Sequence, residues 1–271
     1  MLPYVFLSAG LLAIGLAVWW PGFRLRRAMA QQFPPEWERI LIANLPPYRR
    51  MPVKWRQRLQ QLIQRFVHEK QFVGNGGLVI NDEMRITIAG AACLLVLNRP
   101  STVYQALRFI YVYPDSFHAP VKHHDESGVV SSGYASRSGE SWSNGKVILS
   151  WNDILIGTRN FTDGNNVALH EFAHQLDQES GSTNGAPLLD RNSAYTRWAE
   201  VFTQEYRDLV NDARFGRQSL MDHYGATNPA EFFAVATETF FEQPQTMADK
   251  HPELFQQLSN YYKIDPRTWH D

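Results

Sequence analysis

Apolar residues are distributed in two ways along the chain. Met1 to Trp20 carries no charged side chain, whereas everything beyond it mixes apolar and polar positions with helical or strand period. Twenty helical residues rise about 30 Å, the thickness of a bilayer hydrocarbon core. Trp19 and Trp20 stand where an interfacial aromatic belt belongs, and Arg24, Arg26 and Arg27 follow. The pattern predicts a single-pass transmembrane anchor over residues 1–23, with residues 1–20 in the membrane. Arginines behind the span place the rest of the chain in the cytoplasm, so the expected location is the cell membrane. A cleaved signal peptide fits less well, because no cation precedes the apolar run and Ala28-Met29-Ala30 lies behind the arginines. A buried core helix also fits less well, since core helices of this length are rarely apolar all round.

Past the arginines, Phe33-Pro34-Pro35 and Leu45-Pro46-Pro47 bound a short helix around Trp37 to Ile42. Lys54 to Lys70 is amphipathic, with Trp55, Leu59, Leu62, Ile63 and Phe66 at three- and four-residue spacing. Gly74 to Gly77 is a turn; no Gly-Lys-Ser/Thr follows, so it is no phosphate loop. Ile86 to Leu97 predicts a buried helix in which Cys93 is a small apolar side chain. Strands are expected at Phe109–Tyr113 and Lys146–Trp151, with loop over residues 119–145. Helices follow around Asn166–Gln178, Ser193–Val210, Pro229–Phe241 and Pro252–Tyr262. Strands before a helical second half predict an α+β fold.

Composition narrows the chemistry. The 271 residues are 44% hydrophobic and 20% charged, the usage of a folded globular chain. A single cysteine excludes an intrachain disulfide framework and any multi-cysteine metal site, which leaves His and carboxylates as ligands. A net charge of −1 argues against direct nucleic-acid binding. The charge is unevenly spread: residues 24–70 hold 11 Lys+Arg and 3 Asp+Glu, net +8, and residues 71–271 hold 15 and 24, net −9. A basic stretch beside an apolar span suits an anionic inner leaflet. The chain thus divides into an anchor (1–23), a basic, proline-punctuated helical segment (24–70) and a larger domain (71–271).

The chemistry concentrates in Val167-Ala-Leu-His170-Glu171-Phe-Ala-His174-Gln-Leu-Asp177. Histidines four apart leave one helix face a turn apart and can grip one metal ion, with Glu171 beside them as a general base. No His-x-x-Gly-x-x-His extension follows, so a carboxylate from a later helix is the natural third ligand. Glu231 and Glu238 share a helical face, and spacing does not choose between them. Glu231 also stands three residues after Asn228, where a capping-box glutamate belongs. Asp177 is placed to support a ligand, to hold a loop, or to sit solvated at a turn. His123 and His124 read as surface residues, and His223, although next to Tyr224, reads more simply as lying outside such a site than as part of it. His68, His118, His251 and His270 form no pattern.

Four stretches together resemble the Mlc titration factor A family of zinc-dependent peptidases, from about Phe33 to Pro266: Ser138-Gly-Glu-Ser-Trp142, Val147-Ile-Leu-Ser-Trp151, His170–Asp177 and Asn228–Val235. The last two are also similar to the catalytic motifs of the lethal-factor metalloproteases. The resemblance implies a zincin-like metallopeptidase domain holding one Zn2+ per chain through His170, His174 and Glu231. It further implies Glu171 as general base, Tyr224 as a catalytic tyrosine and Glu238 as a helix-face residue or a support behind a ligand. Without the resemblance, Tyr224 reads as a partly buried tyrosine with a satisfied hydroxyl. The implied reaction is hydrolysis of a peptide or protein substrate by zinc-activated water, of aminopeptidase type. No acidic anchor for a substrate's free amine is identifiable, and the N-terminal span departs from the soluble family pattern. The alternative implied by the same family is a binding protein that sequesters a transcriptional regulator of the Mlc repressor type. By analogy, the strand ending at Trp151 is expected to offer an edge to an extended substrate.

Overall fold

Five of the helices begin on a proline, where the missing N–H would have had no intrahelical partner anyway. The structure, a computed structural model, describes residues 19–20, 22–99, 104–124, 130–137, 139–142 and 145–269, and the backbone alone for 117–142. Most of the expected anchor therefore lies outside the described residues. Trp19 and Trp20 are exposed, and among the described residues no helix is long and apolar enough to cross a membrane.

In chain order come α1 (Pro35–Asn44), α2 (Pro46–Arg50), α3 (Val53–Glu69), β1 (Gln71–Gly74) and α4 (Asp82–Leu95). Then follow β2 (Phe109–Tyr113), β3 (Phe117–His124), β4 (Val130–Arg137), β5 (Gly139–Trp142) and β6 (Lys146–Ser150). The helical remainder is α5 (Trp151–Arg159), α6 (Val167–Gln178), α7 (Ala194–Phe215), α8 (Pro229–Glu242), α9 (Pro244–Lys250) and α10 (Pro252–Tyr262). Short 3-10 turns stand at His223–Ala226 and Pro266–Trp269.

The fold is mixed α and β and mostly helical, but helices and strands alternate more than the α+β expectation allowed. In the order β1-β2-β6-β5, the first three strands are parallel and β5 is antiparallel. Parallel neighbours need a crossover, and α4 supplies it between β1 and β2. Residues 119–145 are not simply loop: β3 and β4 pair antiparallel from Phe117 opposite Arg137 to His124 opposite Val130, and β5 follows. Their Gly/Ser-rich sequence lacks the apolar alternation that betrays a strand. The strand expected to end at Trp151 stops at Ser150, whose hydroxyl caps α5 by accepting from Asp153 N. That strand, β6, is interior, so the sheet edge on this side belongs to β5.

One hydrophobic core runs from Leu41 to Trp269 and takes in the buried faces of α1 and α3 as well as the later elements. Leu59, Leu62, Ile63 and Phe66 of α3 are its contribution from the basic segment, as the periodicity predicts. α4 is buried almost all round and contains Cys93, whose thiol is pushed up by burial. Asn81 caps it by accepting from Met84 N at 2.9 Å, so it begins four residues before the apolar run. Phe172 of α6 meets Phe66 and Tyr104 edge-on at 5.8 and 5.5 Å between ring centroids. A buried side chain of this size contributes about 1.5–3 kcal/mol, and the cluster presses the apolar face of α6 onto α3.

Candidate metal centre

α6 forms where Asn166 accepts from Leu169 N at 3.1 Å and a stretch without Gly or Pro follows. Leu169, Phe172, Ala173 and Leu176 are buried, which leaves His170 and His174 together on another face. α8 starts at Asn228, whose side chain accepts from Ala230 N and Glu231 N. Phe232, Phe233, Phe240 and Phe241 are wholly or almost wholly buried, with Phe232 edge-on to Phe202 of α7. This packing turns Glu231 and Glu238 toward α6.

His170 Nε2 lies 2.9 Å from Glu231 Oε2, His174 Nε2 lies 3.2 Å from the same oxygen, and the two Nε2 atoms are 3.2 Å apart. Ligands about 2.0–2.1 Å from a tetrahedral zinc stand roughly 3.3 Å from one another, so this triangle matches a zinc site. Two imidazole nitrogens facing each other at 3.2 Å cannot both point lone pairs inward comfortably unless a cation or proton lies between. Two nitrogens and one carboxylate oxygen are also a donor set zinc accepts readily. Among the described residues, this trio is the His/Cys/Asp/Glu group spaced to hold a metal ion. Asn228 thus caps α8 as expected, yet the Glu231 carboxylate faces the histidines.

Glu238 meets the other side of His170. Its Oε1 accepts from His170 Nδ1 at 2.8 Å and its Oε2 accepts from Asn166 N. Behind it, Glu242 Oε1 accepts from Asn166 Nδ2 at 2.9 Å and Oε2 from Gly164 N at 2.8 Å. The chain of contacts fixes the ring of His170 and joins the start of α6 to the middle of α8. Burial pulls the His170 pKa down, but the Glu238 carboxylate and the hydrogen bonds to Glu231 and Glu238 outweigh it and hold it well above its usual range. Burial raises Glu231 too, yet its two histidine partners hold it far below the ordinary carboxylate range. Burial raises Glu238, and the opposing pull of His170 offsets only part of that. Glu242, buried and beside the charge of Glu238, is pushed up to about 9.

Glu171 is buried on α6 next to His170. Tyr224 is half exposed rather than partly buried, with its ring centroid 5.9 Å from that of His170. Asp222 Oδ1 accepts from Tyr224 N, and Thr227 Oγ1 donates to Tyr224 O, both at 2.7 Å, which holds the tyrosine's backbone. Asp177 is fully buried and not a solvated turn residue: its Oδ2 accepts from Gly185 N at 2.8 Å. Gly185 in turn backs onto Pro229 O, so Asp177 ties the end of α6 to the start of α8.

Among the described side chains, no other histidine joins the cluster. His223 is exposed, His251 pairs with Glu205 at 2.8 Å, and the side chains of His118, His123 and His124 lie outside the described residues, as does His270. Sequence reasoning missed Asn166, Glu242 and the His251–Glu205 pair. The signal for Glu242 was there: it stands four residues after Glu238, one turn on along the same face of α8.

The profile of the glucose-regulated metallo-peptidase M90 family matches residues 20–263. The Synechocystis sp. protein slr2042 is 40% identical over 271 residues, 98% of each chain. The Mlc titration factor A of Serratia proteamaculans is 30% identical over 250 residues, 91% of this chain and 93% of its own. That of Yersinia pestis is 28% identical over 234 residues, 85% of each. With a match over nearly the whole described chain and a His-His-Glu cluster able to hold a metal, the protein belongs to the glucose-regulated metallo-peptidase M90 family, that of the Mlc titration factors A.

Proposed function

We propose that the chain is a zinc-dependent peptidase in which His170, His174 and Glu231 hold one zinc ion per chain. The observation that carries this is the convergence of two imidazole nitrogens and one carboxylate oxygen within 2.9–3.2 Å of one another, with a buried glutamate beside them on the same helix. When bound, the zinc supplies a Lewis acid that polarises a peptide carbonyl and lowers the pKa of a water. Glu171 accepts the proton of the attacking water and delivers it to the leaving amine nitrogen. Tyr224, on the open side of the site, donates its hydroxyl to the oxyanion that develops on the carbonyl. Glu238 keeps the His170 ring oriented through Nδ1. Among the described residues β5 ends the four-stranded sheet, and on this reading an extended peptide substrate would pair with that edge.

We infer small peptides with a free amino end as the substrate class, which rests on the family resemblance. Amino-acid anilides assayed against end-blocked peptides separate this from internal cleavage. Glu171→Gln tests the mechanism: hydrolysis should fall by roughly 10²–10⁴-fold while one zinc per chain is retained. Activity equal to the parent would overturn it. The names of the Serratia and Yersinia relatives favour a second role, capture of a regulator of the Mlc kind. The same Glu171→Gln chain, used as bait for such a regulator, separates binding from hydrolysis.

A further inference from the structure

A cavity of 570 Å³ opens between the start of α3, the stretch after α4 and the residue following α10. None of the metal-centre residues lines it. Its described lining holds four cations, Lys54, Arg58, Arg99 and Lys263, with Trp55 and Asn98 among them, and no acid. The volume lies within the roughly 300–1,000 Å³ of small-molecule sites.

Among the described residues, three of these cations have no carboxylate within ion-pair distance. Among the described residues, Lys263 is ion-paired, with Asp190 at 2.8 Å, whereas Lys54, Arg58 and Arg99 make no ion pair. Glu179 and Asp190, the partner of Lys263, both feel the charge of Arg99, but neither stands within ion-pair distance of it. Lys54 sits in the first turn of a 17-residue helix that has no acid in that turn, so its charge adds to the positive end of the helix dipole. Arg99 is the decisive residue, only 8% exposed. Its Nη1 donates to Tyr261 O at 3.1 Å and its guanidinium lies 4.2 Å from the centre of the Tyr261 ring, yet its Nε is buried without a hydrogen-bond partner. Arg99 thus offers the cavity a nearly buried guanidinium charge with no carboxylate at ion-pair distance, and such a charge costs stability unless an anion lies beside it. Lys263 adds to the case: it holds φ +57°, a left-handed position where Gly or Asn is favoured, and Asn98 Nδ2 fixes its carbonyl at 2.6 Å.

We propose that this cavity binds a phosphate group, with Lys54, Arg58 and Arg99 as its cationic ligands and Trp55 as a wall for the rest of the ligand. Fixed guanidinium donors fit a tetrahedral polyanion better than a single carboxylate, and the cavity is far larger than phosphate alone. The ligand is a soluble phosphate ester or the headgroup of an anionic phospholipid.

The test uses the full chain in chloride buffer. Pyrophosphate is titrated by calorimetry, and vesicles of phosphatidylglycerol are compared with phosphatidylcholine by flotation. Each is repeated with the Lys54→Gln/Arg58→Gln double variant, at half-exposed and exposed positions that leave the core untouched, and with Arg99→Gln. Zinc content and melting temperature check that each variant is folded. Saturable pyrophosphate binding that weakens roughly tenfold or more in the double variant establishes a soluble phosphate site. Phosphatidylglycerol-dependent flotation that weakens in the same variant, without pyrophosphate binding, establishes a lipid headgroup. If neither ligand responds to the double variant, or to Arg99→Gln in a folded protein, the proposal is wrong.

Discussion

His170 Nδ1 donates to Glu238 Oε1 at 2.8 Å while the opposite nitrogen of the same ring faces Glu231 at 2.9 Å. The two glutamates therefore do different things, although they share one face of α8. Glu231→Ala removes one of the three proposed ligands and should abolish stoichiometric zinc. Glu238→Ala leaves the three donors in place but frees the ring, and zinc affinity should fall by roughly 10–100-fold. A chelator competition on both variants checks the difference; equal loss in the two would refute it.

Tyr224 is 53% exposed, so its hydroxyl contributes little to the core. Tyr224→Phe should leave the melting temperature and zinc content near those of the parent and lower kcat by roughly 10²-fold. Steady-state kinetics on a small peptide substrate would show the loss in kcat rather than in KM. An unchanged kcat removes Tyr224 from the reaction.

Gly185 holds φ +77°, and a Cβ there would come within 2.3 Å of Pro229 O. Gly185→Ala should cost about 2 kcal/mol or more and disturb the start of α8, weakening zinc binding as well. Gly181, at φ +94° with nothing within 4 Å, is the control: its alanine variant should show only the backbone penalty of about 1 kcal/mol. Urea denaturation of the two variants measures the gap, and equal losses would sink the steric argument.

Glu242 makes stability depend on pH. Its folded pKa of about 9 exceeds the ordinary 4.5, so between these values the folded state binds more protons than the unfolded state. Its contribution is present in full below 4.5 and is lost as pH rises toward 9, with a limiting slope of about 1.4 kcal/mol per pH unit. Zinc-free protein should thus become easier to unfold in urea from neutral to alkaline pH. Glu242→Leu should flatten that dependence even where it is less stable throughout. The same slope in the variant would assign the effect to another group.

The long helices were legible because their signals are local. Lys54–Lys70 and Pro229–Phe241 are both read from periodicity and caps, and they agree with α3 and α8 to within one residue at each end. Short elements were not. Gln71–Gly74 and Gly139–Trp142 are four-residue strands whose conformation comes from their neighbours in the sheet, and Trp151 reads as the end of a strand until Ser150 is seen capping a helix. Asp177, equally suited by sequence to solvent or to a loop, became buried because Gly185 reaches its carboxylate.

The sequence by itself determined that His170 and His174 share a helix face with Glu171 beside them, because a four-residue spacing fixes that geometry in any α-helix. It also determined that any metal ligands must be His and carboxylate, because a single cysteine excludes a multi-cysteine site. Tertiary structure decided which acid meets which nitrogen. Glu231 and Glu238 are alike in local sequence, and only the packing of α8 against α6, driven by buried phenylalanines far apart in the chain, sets one at Nε2 and the other at Nδ1. It also gathered Lys54, Arg58, Arg99 and Lys263 around one cavity, a grouping no stretch of sequence contains.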